Sequence, residues 1–319
     1  MNYIKNIKYL LFIVSLSINV VVCVAQNDFD LTQKWFNETL YNPASAGNNF
    51  STGVFLHTQQ LWGFPGAPST HAGTVDTYIE DLRSGVGLTF AVDKYGSISS
   101  YNFRLAYAFY IPIGEKAVLS LGLSGGILAR NRRVTGSGIE DPDDSSWAYG
   151  NVSEYSPDFD FGFEFKGPFK LGASIRHLGV QPPKYNLPKH SINIWAYLSS
   201  RFNVSESLSL EPMIATLNNE LSYYAEAGAL LYFLKTERRN TYSDRFWMGA
   251  LYRTNGSFAA LAGVNLTPKI RLGYSFDYVI GDFSSIAKGG RHELFFSFYF
   301  NRIFYKDETC PAYRNYKRK

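Results

Sequence analysis

The chain has 319 residues; 17% are aromatic, only 18% are charged, and the formal net charge is +4. Soluble domains carry roughly 25% charged residues, so this chain is poor in charge for its size. A balance this close to neutral gives no reason to expect a nucleic-acid partner. The unusual composition instead favours a chain that places many aromatic side chains in an apolar environment.

Residues 1–25 are predicted to be a secretory signal peptide. Lys5 and Lys8 precede the apolar run "YLLFIVSLSINVVVCVA", which ends at Ala25. Basic, apolar and small residues in this order are typical of a cleaved signal. A retained transmembrane helix is the alternative, but no charged stop-transfer cluster follows. A lipoprotein is also disfavoured, because a valine rather than a small residue precedes Cys23.

The mature chain combines export with a lack of long apolar helices. Without the signal its formal charge is about +2, and Cys310 is its only cysteine, which excludes an intramolecular disulfide and a paired-cysteine metal site. No apolar run after the signal reaches the ~18 residues of a helical membrane span. An exported, aromatic-rich chain of this kind is typical of an outer-membrane β-barrel.

Residues 26–50 are predicted to form an N-terminal arm or plug segment. The stretch "DFDLTQKWFNETL" places Leu31, Trp35 and Phe36 at roughly helical spacing, so we expect a short helix or an extended arm. Pro43 fixes φ and Gly47 permits a tight bend into the first strand. The arm lies either inside the barrel or beneath it.

Residues 51–301 are predicted to form a transmembrane, up-and-down antiparallel β-barrel of about 14 strands, an all-β fold. In "YNFRLAYAFYI", Tyr101 to Ile111, every second residue is large and apolar, and Arg104 lies on the other face. A soluble sandwich would have to bury one such face, whereas a barrel turns it to lipid. The expected strands are near 51–62, 69–81, 84–94, 99–112, 116–130, 157–166, 169–177, 190–202, 207–216, 223–234, 244–254, 256–266, 269–280 and 291–301.

The lengths of the connections predict the orientation of the barrel. Long connections are expected at 131–156, 178–189 and 281–290, and they follow odd-numbered strands. Outer-membrane barrels have longer loops outside and short turns in the periplasm, so both chain termini should be periplasmic. The basic tail 302–319 is then either a frayed end or a docking segment for a periplasmic partner.

The charges of the inward face admit two interpretations: they pair across the interior, or they line a channel. Their mixed signs favour pairing. The residues are Arg104, Glu164, Arg176, Glu211, Glu226, Arg253 and Asp277.

The sequence offers little support for catalysis or for a cofactor. The stretch "GLSGG" around Ser124 resembles a nucleophile motif, but it lies within an alternating strand and not on a strand-to-helix turn. Asp141, Asp143 and Asp144 make a weak calcium candidate, with a solvated outer loop as the favoured interpretation. We therefore expect no enzyme, no cofactor and no metal elsewhere.

Four stretches, in order along the chain, resemble the PorP/SprF family of type IX secretion outer-membrane proteins. They are "LYNPASAGNN" from Leu40, "QQLWGFPGAPST" from Gln59, "GGRHELFFSFYF" from Gly289 and "CPAY" from Cys310. Ser45 departs from the pattern, since an aromatic residue is more usual there. The motif residues with a possible structural or partner-binding role are Tyr41, Asn42, Pro43, Gly47, Trp62, Phe64, Pro65, Gly66, Pro68, His292 and Glu293.

The resemblance implies a non-enzymatic role in secretion and gliding. Family members are associated with holding secreted adhesins at the cell surface through the adhesins' C-terminal domains, and with periplasmic components of the machinery. Trp62 would then either contact a partner or belong to the aromatic belt in the outer-membrane lipid. His292 and Glu293 are expected to form hydrogen bonds at the start of the last strand. A small-molecule porin or transporter remains the alternative function.

Overall fold

The computed structural model describes residues 29–300 except for 50, 64–65, 115, 134–150, 186, 188, 220–222, 238–240 and 281–288. The predicted signal peptide 1–25 and tail 302–319 lie outside this range. Within it, no helix is both long and apolar enough to cross a membrane.

Among the described residues, fifteen antiparallel strands form one sheet, in which all but one pair of consecutive strands are neighbours and the last strand returns to pair with the first. The strands are β1 (Gly53–Leu61), β2 (Ser69–Ile79), β3 (Ser84–Tyr95), β4 (Ile98–Ile113), β5 (Ala117–Arg132), β6 (Val152–Lys166), β7 (Lys170–Leu178), β8 (Asn193–Ser199), β9 (Phe202–Ser205), β10 (Leu208–Asn219), β11 (Tyr223–Glu237), β12 (Thr241–Arg253), β13 (Ser257–Thr267), β14 (Ile270–Val279) and β15 (Arg291–Tyr299).

The barrel has fourteen positions, because β8 and β9 lie end to end beside β10. The sequence predicted one strand over 190–202, whereas the structure interrupts it after Ser199. Pro212 of β10 lies at the interruption and has no N–H to donate, although its carbonyl accepts a hydrogen bond from Ser200 N. The closed, up-and-down, 14-strand barrel is otherwise confirmed.

Alternation along the strands separates a lipid face from a lumen face. In β4, the side chains of Phe103 and Leu105 are 51% and 63% exposed, while those of Asn102 and Arg104 are 7% and 2% exposed. Exposed phenylalanine and leucine suit hydrocarbon, whereas buried arginine requires a partner inside the barrel.

The connections are longer at one end of the barrel than at the other. At one end, β5 and β6 are joined through 133–151 and β7 and β8 through 179–192; at the opposite end, the turns at 80–83 and 167–169 are short. We therefore place the first end outside the cell and the second in the periplasm. β1 runs from the periplasmic end to the outer end.

The lumen is occupied by the plug segment, residues 29–49. It contains three short 3₁₀ helices, Thr32–Phe36, Glu38–Leu40 and Pro43–Ser45, and most of its side chains are buried. Its first residues contact the outer half of the barrel, since Gln59 Nε2 donates to Asp30 O, and Asn48 meets Lys166 at the periplasmic end. From residue 29 the chain thus runs down the lumen before β1 turns back up.

Inward-facing glycines allow the plug segment to lie directly against the barrel wall. A Cβ built on Gly122 of β5 would lie 2.1 Å from Ala44 N, and one on Gly85 of β3 would lie 1.7 Å from Ala46 O. Real Cβ atoms do not approach other atoms this closely. The third 3₁₀ helix therefore depends on missing side chains in the wall, a requirement that the plug sequence alone cannot reveal.

We predict that Gly122→Ala destabilises the barrel by about 1–3 kcal/mol, because the added methyl group collides with the plug backbone. Urea unfolding in detergent micelles measures the loss. The matched control is Gly125→Ala in the same strand, where the new Cβ meets only the Phe159 ring at 3.3 Å on the lipid face. Equal stability of the two variants would contradict close docking of the plug.

Candidate functional site

The "NPA" turn of the plug segment is held by its own side chains and by the wall. Asn42 Oδ1 accepts from Ala44 N at 3.0 Å, which caps the third 3₁₀ helix, and Pro43 occupies the first position of that helix. Asn42 Nδ2 donates to Phe163 O and to Tyr197 Oη. The turn is therefore a docking element that joins the plug to β6 and β8.

Ser45, the departure from the family pattern, takes part in the same contact. Its Oγ donates to Glu164 Oε2 at 2.9 Å, and the Tyr197 hydroxyl donates to the same carboxylate. Asn48 Nδ2 donates to Glu164 Oε1. Two plug side chains thereby satisfy a buried carboxylate, a role that a phenylalanine at position 45 could not fill.

Glu293 of β15 anchors the first turn of the plug segment. Its carboxylate accepts from Thr32 N at 2.6 Å and from Gln33 N at 3.3 Å. It also contacts His57 Nδ1 at 3.0 Å and Gln59 Nε2 at 3.3 Å. Backbone donors of the plug thus converge with barrel donors on one carboxylate that is 1% exposed.

Arg253 of β12 is the centre of a second buried network. Its Nε donates to Glu226 Oε2 at 2.6 Å and its Nη1 to Asp277 Oδ2 at 2.8 Å. Lys34 Nζ of the plug binds Glu226 at 3.0 Å, and Thr32 Oγ1 donates to Asp277. Arg253, Glu226 and Asp277 therefore pair with one another and with the plug, as their mixed signs indicated.

Asp30 completes this network at the outer end of the plug segment. Burial opposes ionisation of its carboxyl, but Lys34, Arg253 and Arg291 together hold the pKa of Asp30 well below its usual value. Asp30 therefore stays charged and binds Lys34 Nζ at 2.9 Å.

A third cluster, within the part of the chain that the structure describes, brings together three side chains that could hold a metal ion. Ligand atoms of Asp158, Asp160 and His177 lie within 4.8 Å of one another, and all three side chains are buried. Arg104 Nη1 already donates to Asp160 at 2.6 Å, and Asn102 Nδ2 donates to Asp158 at 2.5 Å. Protein donors thus satisfy both carboxylates without a metal ion. The cluster is therefore accounted for as a hydrogen-bond network of the barrel wall.

Aromatic side chains fill the space between these polar networks. Trp35 makes edge contacts with Trp195 and Tyr197 at centroid distances of 6.2 and 6.0 Å. Phe36 lies 5.0 Å from Trp247 and stacks on Phe295 at 5.6 Å. The apolar residues that predicted a helix therefore face the wall of a filled lumen.

The other motif residues lie at several places. Tyr41 is buried in the plug and its hydroxyl accepts from Leu31 N, and Gly47 has a φ of 74° next to Gly85. Gly66 O accepts from Gly96 N, and Pro68 O accepts from Leu61 N. Outside the described residues lie Phe64, Pro65, Cys310 and the calcium candidate Asp141, Asp143 and Asp144.

Trp62 and His292 lie together on the outer surface of the barrel. Their ring centroids are 4.3 Å apart, and Trp62 is 56% exposed. His292 Nδ1 contacts Tyr274 Oη at 2.7 Å, and its Nε2 contacts Gly289 O at 3.0 Å. The adjacent residues His292 and Glu293 thus face opposite sides of the wall.

The sequence did not identify the plug residues that make the ionic contacts. Asp30, Thr32 and Lys34 were not singled out, although Asp30 and Lys34 are spaced i, i+4 in a segment that precedes charged strands. That opposite-charge spacing was the available signal.

We predict that Glu293→Gln lowers the free energy of unfolding by about 2 kcal/mol. The new side chain would place an amide N–H donor opposite the backbone N–H donors of Thr32 and Gln33, which now bind a carboxylate oxygen. Limited proteolysis within residues 30–40 should also become faster. His292→Ala is the control, since this neighbour faces outward and should leave the plug protected. Retained protection in Glu293→Gln would contradict the anchoring role.

Solved structures with a similar fold are outer-membrane barrels. The toluene transporter TbuX of Ralstonia pickettii has a TM-score of 0.53 and 10% identity, covering 87% of this chain and 96% of its own. A FadL homologue of Pseudomonas aeruginosa has a TM-score of 0.44 and 13% identity, covering 82% and 94%. Omp33 of Acinetobacter baumannii has a TM-score of 0.43 and 9% identity, covering 79% and 98%. No curated protein matches the sequence.

The family comparison covers nearly the whole barrel and its plug. The model described as type IX secretion system membrane protein PorP/SprF matches residues 23–298. Together with the 14-strand barrel and its lipid-facing aromatic surface, this match makes the protein an integral component of the outer membrane. The chain belongs to the PorP/SprF family of type IX secretion system membrane proteins.

Proposed function

We propose that this protein is a non-enzymatic barrel of the secretion and gliding machinery that binds a secreted adhesin, through the adhesin's C-terminal domain, and anchors it at the cell surface. The observation that carries the proposal is the filled lumen in a member of a secretion family. A barrel whose interior is packed by its own chain offers its rims and outer wall, and not a pore, for function.

The packing of the plug segment supports a binding role over a transport role. Leu31, Thr32 and Gln33 have no exposed surface, and Lys34 is 1% exposed. Moving the plug would separate Lys34 from Glu226 and leave buried charges without partners, which costs several kcal/mol. A solute that crossed the membrane through the lumen would have to offset this free-energy cost each time the plug moved.

The environments of the candidate nucleophile and bases support a non-enzymatic role. Ser124 Oγ donates to Asp160 Oδ2 at 2.8 Å, and Gly122 beside it is covered by the plug. His57 and His177 contact buried carboxylates of the wall. These groups serve to hold the lumen together, and each is screened from an external substrate.

The Trp62–His292 pair is the part of the outer rim that we assign to adhesin binding. Trp62 N donates to Gly290 O at 3.0 Å, so the backbone that carries the exposed indole is joined to the residue that precedes β15. A rigid, exposed aromatic residue supplies contact area at low entropic cost. The opposite rim is assigned to periplasmic components of the machinery.

We predict that the purified protein forms no large, stable channel in planar bilayers, because the plug segment occupies the lumen. A variant lacking residues 29–46 should conduct if its barrel still folds, as checked by circular dichroism. Stable channels in the unaltered protein would support the alternative, a small-molecule porin or transporter, and would contradict the filled lumen.

Deletion of the gene should remove a specific adhesin from the cell surface and leave solute uptake unchanged. Among complemented strains, we predict that Trp62→Ala retains several-fold less surface adhesin than Tyr252→Ala. Tyr252 is the matched control, since it is an exposed aromatic residue near the outer end of another strand. Equal retention would assign Trp62 to the lipid belt, and an unchanged surface proteome in the deletion strain would refute anchoring.

A further inference from the structure

The plug segment and the periplasmic ends of the strands enclose a polar cavity of about 180 Å³, here called the vestibule. Its inner surface includes Asn37 and Glu38 of the plug, and its wall includes Lys170, Arg201 and Arg271. A volume of this size holds about six waters at ~30 Å³ each, or a group the size of one amino-acid residue. The vestibule therefore has room for one end of a peptide chain.

Most charged groups of the vestibule already have partners. Glu38 contacts Lys170, and Arg201 forms a forked pair with Asp244. Glu211 Oε2 accepts from Tyr232 Oη at 2.9 Å. Asp76 Oδ2 accepts from Thr39 Oγ1 at 2.8 Å. The carboxylates that line the cavity are thus engaged by protein donors.

Arg271 differs from Lys170 and Arg201, because it has no carboxylate partner among the described residues. Its Nε donates to Asn265 Oδ1 at 2.9 Å. Its guanidinium carbon lies 5.4 Å from the Phe36 ring centroid and 5.1 Å from that of Trp247. The two rings orient a planar cation whose remaining N–H groups suit a carboxylate.

Asn37 supplies an independent sign of an occupant. The residue is 2% exposed, lines the vestibule, and neither Nδ2 nor Oδ1 of its side chain has a hydrogen-bond partner within the described structure. A buried amide with both groups unpaired costs about 1–3 kcal/mol for each group. Such a side chain is complementary to a ligand that carries one donor and one acceptor.

We propose that the vestibule binds the C-terminal residue of a peptide chain presented from the periplasm. The terminal carboxylate accepts from Arg271, and the last peptide group exchanges hydrogen bonds with Asn37. A fully deprotonated inorganic anion such as sulfate would satisfy Arg271 but would offer no donor to Asn37 Oδ1. This site is distinct from the outer-rim contact of the proposed function and does not depend on it.

The test is calorimetric titration of the full-length protein in detergent with N-acetyl-Gly-Ala-Gly, which has a free carboxylate. We predict a dissociation constant of about 1 mM or tighter, and at least tenfold weaker binding of the same peptide with a C-terminal amide. Arg271→Gln and Asn37→Leu should each weaken binding about tenfold. Lys269→Gln, which removes an exposed cation two residues away, should leave it unchanged.

Three results would overturn the proposal. One is no binding of the free-carboxylate peptide, and the second is equal binding of peptide and amide. The third is tight binding of inorganic phosphate that is insensitive to Asn37→Leu, which would indicate a simple anion site. Arg271→Lys is a second variant in case Arg271→Gln does not fold. It retains the positive charge but lacks the planar guanidinium that binds a carboxylate through two N–H groups, so it should bind the peptide with intermediate affinity. Adhesin retention is a separate readout, so failure here leaves the outer-rim proposal untouched.

Discussion

Buried charge on the inner face of a closed sheet has to be neutralised inside the barrel, and the plug segment provides part of that neutralisation. Arg253 binds both Glu226 and Asp277, while Lys34 and Thr32 of the plug supply further donors to the two carboxylates. Removing one member of such a network leaves the charge of another buried without a partner, which destabilises the fold. The wall and the plug are therefore one unit, and neither has a satisfied interior without the other.

This dependence accounts for the form of the "NPASAG" stretch. Its turn fits against the wall only where the wall lacks side chains, at Gly122 and Gly85. It also supplies a hydrogen-bond donor to the buried carboxylate of Glu164. A segment fixed at so many points is part of the packed interior of the barrel. It turns a barrel that shares its architecture with transport proteins into a closed body, whose function we place at its two rims.

Much of this architecture could be predicted from the sequence, because the side-chain period of a strand is two and the lipid face must be apolar. The alternation in β4 predicted its lipid and lumen faces correctly. The position of the plug could not be predicted, since its contacts join residues far apart in sequence, such as Lys34 and Glu226, which are 192 positions apart. The break after Ser199 was also missed, because it depends on Pro212 in the neighbouring strand.

Hydrogen exchange of the plug amides in outer-membrane vesicles tests the central claim most directly. Leu31 N donates to Tyr41 Oη, and Thr32 N and Gln33 N donate to Glu293, all in buried positions. If the plug segment fills the lumen, these amides should exchange as slowly as those of β1 and β15. Exchange at the rate of an unstructured chain, while the strands remain protected, would contradict the account.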